Sequence, residues 1–345
     1  MIFAGFQLTN LVSFVINCFE KLLPLASKGT LFFTISALVV IFSCTLAKSS
    51  PANLKSAILD VYNVSGWSDG IGFLLGANGV NWGSFCLDAA VHLADEIPEP
   101  QRKIPKALLW TVGLGTITGL PVTLSFFASV SNISTIATST LGTPSLEAFY
   151  QAWEQNIAAA TALQLLILIS VFGAMIGIQN WQARIAWAFS PDKGFPFHSY
   201  QRQIAPKPFE IPFWAHVWSS TWTGLLGCIQ LGSSTASGSF ISAGILLQYI
   251  TYSTAILFML YRGRSQIERG PFWCTRFGPV ANAVTVIWTV ISLIFYCFPY
   301  YVPVQAAQMN YVACVLAGIT LWGVAYWYLH GKSHYICTGT DDADN

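Results

Sequence analysis

The stretch GSFCLDAAVHLADEIPEPQRKIP, Gly83 to Pro105, passes from apolar residues into a dense cluster of charges. Its first acidic residue, Asp88, stands inside an apolar window that runs from Ile71 to Ala94. A carboxylate at membrane depth normally faces a bundle interior, a polar cavity or a cation. Two plainer interpretations stay open, because Asp88 could be a structural hydrogen-bond acceptor or the apolar window could end before it.

The composition indicates the solvent in which the chain folds. Hydrophobic residues make up 54% of the 345 positions, charged residues only 9%, and the mean hydropathy is +0.56, whereas soluble domains carry about 25% charge. The sequence therefore predicts an integral membrane protein in contact with the lipid bilayer. The net charge of +1 gives no indication of a nucleic-acid partner.

Nine apolar windows have lengths near the roughly 20 residues that cross a hydrocarbon core. Backbone amides in lipid must be satisfied within each segment, and the windows lack the period-2 alternation of barrel strands. The sequence therefore predicts an all-α membrane protein with about nine transmembrane helices in a single permease-like domain, residues 1–345, with 331–345 as a cytoplasmic tail. The expected spans are 2–18, 29–47, 70–94, 106–130, 157–181, 212–232, 239–261, 279–298 and 308–329.

The basic residues predict the orientation of these spans. If the spans alternate in direction, only Lys48 and Lys55 fall on one side, and fourteen lysines and arginines fall on the other. The positive-inside rule then places the carboxyl terminus in the cytoplasm and the first residue outside. Two N-x-S/T sequons, at Asn63 and Asn132, lie in predicted outer loops and are candidate glycosylation sites. The fourteen cytoplasmic basic residues are Lys21, Lys28, Arg102, Lys103, Lys106, Arg184, Lys193, Arg202, Lys207, Arg262, Arg264, Arg269, Arg276 and Lys332.

The third window is expected to be a broken helix. Gly76, Gly79 and Gly83 alternate there with small polar residues, and each glycine costs a helix about 1 kcal/mol relative to alanine. Residues 82–86 are the predicted interruption. The backbone at such a break can bind a solute or an ion, and discontinuous spans mark the sites of many transporters.

Two motifs carry a resemblance to a known family. DAAVHLADEIPEPQRKIPKAL, 88–108, resembles the sixth-span signature of fungal amino acid, GABA and choline permeases. RIAWAFSPDKGFPF, 184–197, resembles the segment after the eighth span of the same permeases. These permeases belong to the amino acid-polyamine-organocation superfamily. YNVSGWSDGIGFLLG, 62–76, and LGSSTASGSF, 231–240, are similar to the same family, so the resemblance extends over essentially the whole chain.

The resemblance implies a LeuT-like fold of two inverted five-helix repeats. The solute lies between the broken first and sixth helices, and transport is coupled to a proton or another cation. The first span here corresponds to the family's fourth, so the alignment implies a chain truncated by three amino-terminal spans. We therefore expect the 345 residues alone to transport poorly. The expected location is a membrane, with the plasma membrane favoured over vacuolar or other internal membranes.

The resemblance also implies the binding residues. Trp82 corresponds to the aromatic residue that covers the solute in the family. The unwound backbone corresponds to Gly83, Ser84, Phe85 and Cys86. Asp88 corresponds to the acidic residue that follows the break. The sequence departs from the family at Cys86, where glycine is usual, so that a side chain could narrow the site or stiffen the break. Asp88 and the aromatic faces of Trp82 and Phe85 favour a cationic group on the solute.

Candidate gating or coupling residues lie towards the predicted cytoplasmic side. His92 and Glu96 are one helical turn apart and form a gate pair rather than a metal site, because no third ligand accompanies them. Arg184 is expected to cap a helix end or to pair with an acidic loop residue. Asp192 belongs to the second motif, although the residue before it, Pro191, is usually basic in the family.

Polar residues in the fifth window have two open interpretations. Gln179 and Asn180 are either possible solute contacts or interhelical hydrogen-bonding groups. No motif indicates a catalytic nucleophile, a metal or a cofactor, and the eight cysteines are scattered without CxxC spacing.

Three classes of function therefore remain open. A secondary active transporter of amino acids, GABA or related amines is favoured over a choline transporter, and over a non-transporting fragment or interaction protein. An intramembrane enzyme has only Asp88, His92 and Glu96 in its favour, and we expect no enzymatic activity.

Overall fold

The computed structural model describes residues 2–137, 143–194, 196–306 and 309–335, and these residues contain helices and no strands. Short 3₁₀ turns or helices occupy Glu20–Leu22, Trp82–Ser84, Leu87–Glu96 and Arg264–Gln266, and a π-helical turn occupies Trp327–Gly331. The α-helices are α1 (Ile2–Asn17), α2 (Leu23–Ala47), α3 (Pro51–Leu59), α4 (Asp69–Asn81), α5 (Pro100–Ser129), α6 (Ile133–Ala137), α7 (Pro144–Ala152), α8 (Ile157–Phe189), α9 (His198–Gln201), α10 (Phe213–Gly232), α11 (Ser234–Arg262), α12 (Phe277–Phe295), α13 (Val312–Tyr326) and α14 (Lys332–His334).

Within the described residues, six helical segments are long and apolar enough to cross a membrane, so the protein is a multi-pass membrane protein. Six of the nine expected windows coincide with these segments. The other three are occupied by the 16-residue α1, by the interrupted segment that begins with α4, and by α10. The six segments are Glu20–Ala47, Pro100–Ser129, Ile157–Phe189, Ser234–Arg262, Phe277–Phe295 and Val312–His334.

Several helices extend beyond the expected spans. Helix α8 continues to Phe189 rather than ending at 181, so Arg184 lies inside the helix and not beyond it. Helix α5 begins at Pro100, because proline is tolerated in the first turn of a helix, where its missing N–H has no partner to lose. Of the predicted tail 331–345, residues 331–334 are helical, and 336–345 lie outside the described residues.

One end of the bundle carries both sequons and the two basic residues predicted to be outside. The Ser50 amide donates to the Ala128 carbonyl at 3.0 Å and joins the ends of α2 and α5. Lys48 pairs with Glu154, just before α8, at 3.3 Å. The Val302 amide donates to the Ser65 carbonyl at 2.8 Å. The loops at this end therefore form one continuous layer.

Two buried apolar clusters divide the helices into two groups. Ile41, Phe149, Ala160 and Leu163 join α2, α7 and α8, and α1 and α10 pack against α8. The second cluster, Ala243, Leu246, Tyr296 and Val312, joins α11, the end of α12 and α13. The 3₁₀ helix Leu87–Glu96 packs on α5 and α8, while its side chains reach α11. The interrupted segment thus lies between the two groups.

Candidate functional site: the interrupted helix at Trp82–Asp88

The predicted break is present. Helix α4 ends at Asn81, Trp82–Ser84 form a 3₁₀ turn, and Phe85 is extended at φ −73° and ψ 152°. The chain resumes as a 3₁₀ helix of ten residues, Leu87–Glu96. Since 3₁₀ runs longer than three or four residues are uncommon, the whole segment departs from regular α-helical hydrogen bonding. The glycines and small polar residues before it explain why α4 does not continue.

Cys86 provides the sharpest bend in the break. Its φ of 62° and ψ of 21° are left-handed, a conformation that costs an L-residue roughly 1–2 kcal/mol and that glycine adopts freely. In the family that the sequence resembles, glycine is usual at this position. The structure therefore keeps the glycine-like backbone while carrying a thiol.

One face of α11 lines the break. Gly244, Gln248 and Tyr252 are spaced four residues apart and so lie on the same side of the helix. A β-carbon on Gly244 would lie 3.8 Å from the Phe85 ring. The Gln248 side-chain amide donates a hydrogen bond to Asp88 Oδ1, and the Tyr252 side chain also interacts with this carboxylate.

His92 lies against the other oxygen of Asp88. His92 Nε2 is 3.6 Å from Asp88 Oδ2, and the side chains are 39% and 16% exposed, respectively. The imidazole also faces Trp181 of α8, with 5.9 Å between ring centroids. The side chain of Glu96, the expected gate partner of His92, lies outside the described residues.

Aromatic side chains flank the break on its α4 side. The rings of Trp82 and Phe85 are 5.2 Å apart at 55°, and Trp82 is 38% exposed. The Asn81 side-chain amide donates to the hydroxyl of Tyr296, at the end of α12. A cavity of about 750 Å³ extends from Asn81 along α4 towards Asn63 and the loop around Tyr300. It does not include Asp88.

Gln179 lies within the first group of helices, in the buried interface of α1, α8 and α10. Its Nε2 donates to Asn10 Oδ1 at 2.9 Å and to Ser220 Oγ at 2.8 Å, and its side chain is 3% exposed. This geometry matches the interhelical interpretation of Gln179. Asn180 Oδ1 accepts a hydrogen bond from Arg184 Nε at 3.3 Å.

The remaining gating candidates lie near the end of α8. Arg184 interacts electrostatically with Glu20, in the 3₁₀ turn before α2. Asp192 lies in the turn that follows α8. From the predicted set of gating and binding residues, the structure brings His92 and Asp88 together.

The two sequons differ in their local structure. Asn63 Nδ2 donates to the Trp67 carbonyl at 2.8 Å and to Asp69 Oδ1 at 3.0 Å. Asn132 is exposed, and its Oδ1 accepts hydrogen bonds from the amide and the hydroxyl of Ser134. Within the described residues, no group of three or more His, Cys, Asp or Glu side chains could hold a metal.

The sequence reasoning missed the contribution of α11. Gln248 is the one amide side chain of α11, with Tyr252 one turn later, and this polar spacing was the available signal. What the sequence did not reveal is that this face meets the break.

An all-helical membrane domain with a broken span that carries an acidic residue is the architecture of a solute permease. The amino acid permease family model matches residues 20–321, and the chain belongs to this family.

Its relatives include named transporters. The transmembrane transporter swnT of Metarhizium robertsii is 40% identical over 96% of this chain and 66% of its own length. The swainsonine transporter swnT of Arthroderma benhamiae is 41% identical with the same coverage. The choline transporter of Saccharomyces cerevisiae is 35% identical over 97% of this chain and 59% of its own length. The chain thus spans less than two thirds of each of these relatives, which are named as transporters and not as enzymes.

Proposed function

We propose that the chain forms the substrate-binding part of a secondary active transporter for amino acids or related amines such as GABA. The solute lies against the break, with its cationic nitrogen near Asp88 and its body against the rings of Trp82 and Phe85. The backbone of Gly83, Ser84 and Cys86 completes the site. A proton or another cation supplies the coupling gradient.

The observation that carries this proposal is the position of Asp88. The carboxylate is 16% exposed, lies seven residues after the last residue of α4, Asn81, and stands where two groups of helices meet. Among described residues, its recorded hydrogen-bond and ionic partners include Gln248, His92 and Tyr252 but no lysine or arginine. A partly buried carboxylate that has no fixed cationic partner favours a mobile cation.

Uptake into proteoliposomes tests the proposal. The purified chain is reconstituted, a pH gradient is imposed, and accumulation of tritiated GABA and of tritiated choline is measured. We expect accumulation by the chain alone to be weak, and we expect Asp88→Asn to reduce its gradient-dependent part at least tenfold. Equal accumulation by the wild type and by Asp88→Asn, above the level of empty liposomes, would contradict it.

Choline or another quaternary ammonium is the second candidate substrate. The rings of Trp82 and Phe85, whose centroids are 5.2 Å apart, form an aromatic surface beside the break, and aromatic faces attract quaternary ammonium groups without hydrogen bonds. A relative named as a choline transporter supports this candidate. Competition experiments distinguish the two candidate substrates. Tetramethylammonium should block a choline site, whereas glycine should block an amino acid site.

A non-transporting role, as a fragment or an interaction protein, is the third candidate. In that case the chain inserts into the membrane and binds a partner protein without moving a solute. Binding of choline or GABA with no accumulation in proteoliposomes is the result that would support this role.

The proposed location is the plasma membrane, with a cytoplasmic carboxyl terminus. The layer of loops that holds Lys48, Asn63 and Asn132 faces outward, and the end that holds Lys21 and Arg202 faces the cytoplasm. Labelling of introduced single cysteines with an impermeant maleimide in intact cells tests this orientation, since only the outward layer should react.

A further inference from the structure

The tract HGKSHYIC, 330–337, holds two of the five histidines of the chain and one of its eight cysteines within eight positions. We propose that His330, His334 and Cys337 bind a zinc ion at the end of the last long helix. The proposal goes beyond the proposed function and does not depend on it, because the tract contributes no residue to the break. Short tracts rich in cysteine and histidine are typical of metal binding. CxxC spacing could not reveal this tract, since it has a single cysteine.

The two histidines stand at the end of the last of the six membrane-crossing segments. Helix α13 ends at Tyr326, a π-helical turn covers Trp327–Gly331, and α14 covers Lys332–His334. Turns of the π type are rare and are frequently found at functional sites. His330 and His334 are four residues apart and so share one face. Two histidines with this spacing bind zinc from one helical face in metalloproteases.

The two imidazole rings already lie side by side. Their centroids are 4.3 Å apart, and their planes differ by 6°. Two nitrogens that bind one tetrahedral zinc ion are about 3.4 Å apart, because each Zn–N bond is about 2.0–2.1 Å long. The spacing of the rings is thus close to the spacing that a shared zinc ion requires.

The hydrogen bonds of His334 select the nitrogen that can bind the metal. Its Nδ1 lies 3.0 Å from the His330 carbonyl oxygen, and since a carbonyl only accepts, Nδ1 carries the proton. Ser333 Oγ lies 2.8 Å from Nδ1 and donates its own proton to the same carbonyl. Nε2 therefore keeps a free lone pair. Metal-binding histidines usually donate their other ring N–H to a carbonyl or a carboxylate, which fixes the tautomer and the orientation of the ring.

The second imidazole has a nitrogen that lacks a partner. His330 Nε2 is buried and has no hydrogen-bond partner among the described residues. Buried polar atoms are normally paired, and an unpaired one destabilises the fold. The Tyr326 ring lies 5.4 Å from the imidazole and limits the positions that the ring can adopt. A metal ion at this nitrogen would supply the missing partner.

Cys337 is the third ligand by its position in the sequence, because it lies outside the described residues. The spacings H-x3-H and H-x2-C are as short as those between paired ligands in zinc sites. The ring of Tyr335 packs against Trp327 with 6.0 Å between centroids, so the described chain ends beside the π-helical turn. Three residues span at most about 10–11 Å, which brings the Cys337 thiol within reach of the two imidazoles.

The ligand types favour zinc. One thiolate and two imidazoles are donors that zinc prefers, and a water molecule completes the tetrahedron. The lysine within the tract, Lys332, is exposed and stands two residues from each histidine, on the opposite side of the helix. On the proposed cytoplasmic side, reducing conditions keep the cysteine as a thiol. Zinc would then tie the residues that follow α14 to the end of the last helix.

The experiment measures zinc binding to the purified full chain in detergent. The protein carries a tag without histidines, is stripped with a chelator and is kept reduced, and a chromophoric zinc indicator competes for the ion. The variants are His330→Ala, His334→Ala and Cys337→Ser. Two matched controls are His198→Ala, on α9, and Cys314→Ser, an exposed cysteine of α13. Cobalt is then bound in place of zinc, because a thiolate on Co²⁺ gives a charge-transfer band in the near ultraviolet.

We expect one zinc ion per chain, at least tenfold weaker binding by each of the three variants, and unchanged binding by both controls. Cys337→Ser should also lose the thiolate band of bound cobalt. An absence of zinc binding by the wild type would overturn the proposal. Equal affinities of the wild type and the two histidine variants would overturn it as well, and a thiolate band that persists in Cys337→Ser would overturn the assignment of the third ligand.

Binding of choline and GABA is measured on the same preparations, so the two proposals can fail separately. Solute binding without zinc binding would overturn the zinc site and leave the proposed function standing. Zinc binding that depends on the three ligands, without any solute binding, would support the zinc site and contradict the proposed function.

Discussion

Gln248 and Asp88 are 160 residues apart in sequence, and the side-chain amide of Gln248 donates a hydrogen bond to Asp88 Oδ1. This bond connects the interrupted segment to α11, and so connects the two groups of helices through the proposed site. A neutral donor at this position orients the carboxylate and preserves its charge.

Replacing Gln248 should therefore destabilise the fold. Gln248→Met keeps the volume but removes the donor, and hydrogen bonds to charged groups contribute about 1.5–3 kcal/mol. We expect a lower melting temperature in detergent, measured by thermal unfolding of the purified chain. Gln230→Met, at an exposed position of α10, is the control and should change it little. Equal decreases in melting temperature for both variants would show that the hydrogen bond to Asp88 does not stabilise the fold.

The left-handed backbone at Cys86 predicts that replacing this residue by glycine stabilises the protein. Cys86→Gly removes roughly 1–2 kcal/mol of steric cost and adds about 0.4–1 kcal/mol of unfolded-state entropy, so we expect a small net gain in stability. Cys86→Ala retains the β-carbon and should give no gain. The test is thermal unfolding of both variants. Equal melting temperatures for Cys86→Gly and Cys86→Ala would mean that the left-handed conformation has no steric cost at this position.

Gln179 is predicted to act in the scaffold and not on the solute. Gln179→Met removes its bonds to Asn10 and Ser220, and we expect a loss of about 1–3 kcal/mol in stability without a change in the Kd for choline. Gln203→Met, at an exposed position with one local bond to Ser199, serves as the comparison. A weakened Kd at unchanged melting temperature would instead make Gln179 a solute contact.

The two sequons should differ in glycosylation. Both hydrogens of the Asn63 amide are engaged, and a glycan on Nδ2 would replace one of them, whereas Asn132 is exposed. On expression in a eukaryotic host, we expect an endoglycosidase-sensitive gel shift that Asn132→Gln abolishes and Asn63→Gln does not. The reverse pattern would contradict the prediction.

Local chemistry made part of the fold predictable. Glycines and small polar residues between Gly76 and Ser84 weaken a helix wherever they occur, so the break could be located from the sequence. The start of α11 could have been found in the same way. The serine-rich stretch 232–238 looks like a turn, yet Ser233 is an N-cap whose Oγ accepts the Ala236 amide at 3.1 Å, and the helix begins at Ser234.

Tertiary contacts were beyond the reach of that reasoning. Nothing in the order of residues shows that the face of α11 with Gln248 meets Asp88, because the register between two distant helices depends on packing along their whole length. The same holds for Gln179, whose partners on α1 and α10 are 169 and 41 residues away. Residue type gave the chemistry of each group, and only the fold gave its partner.

The most direct test of the account is the binding of tritiated choline and GABA to the purified chain at pH 8, compared between the wild type and Asp88→Asn. Asparagine keeps the shape of the side chain and removes its charge. The account predicts at least tenfold weaker binding by Asp88→Asn, about 1.4 kcal/mol or more, with a melting temperature close to that of the wild type. Equal affinities for the two proteins would contradict it and would return Asp88 to a structural role.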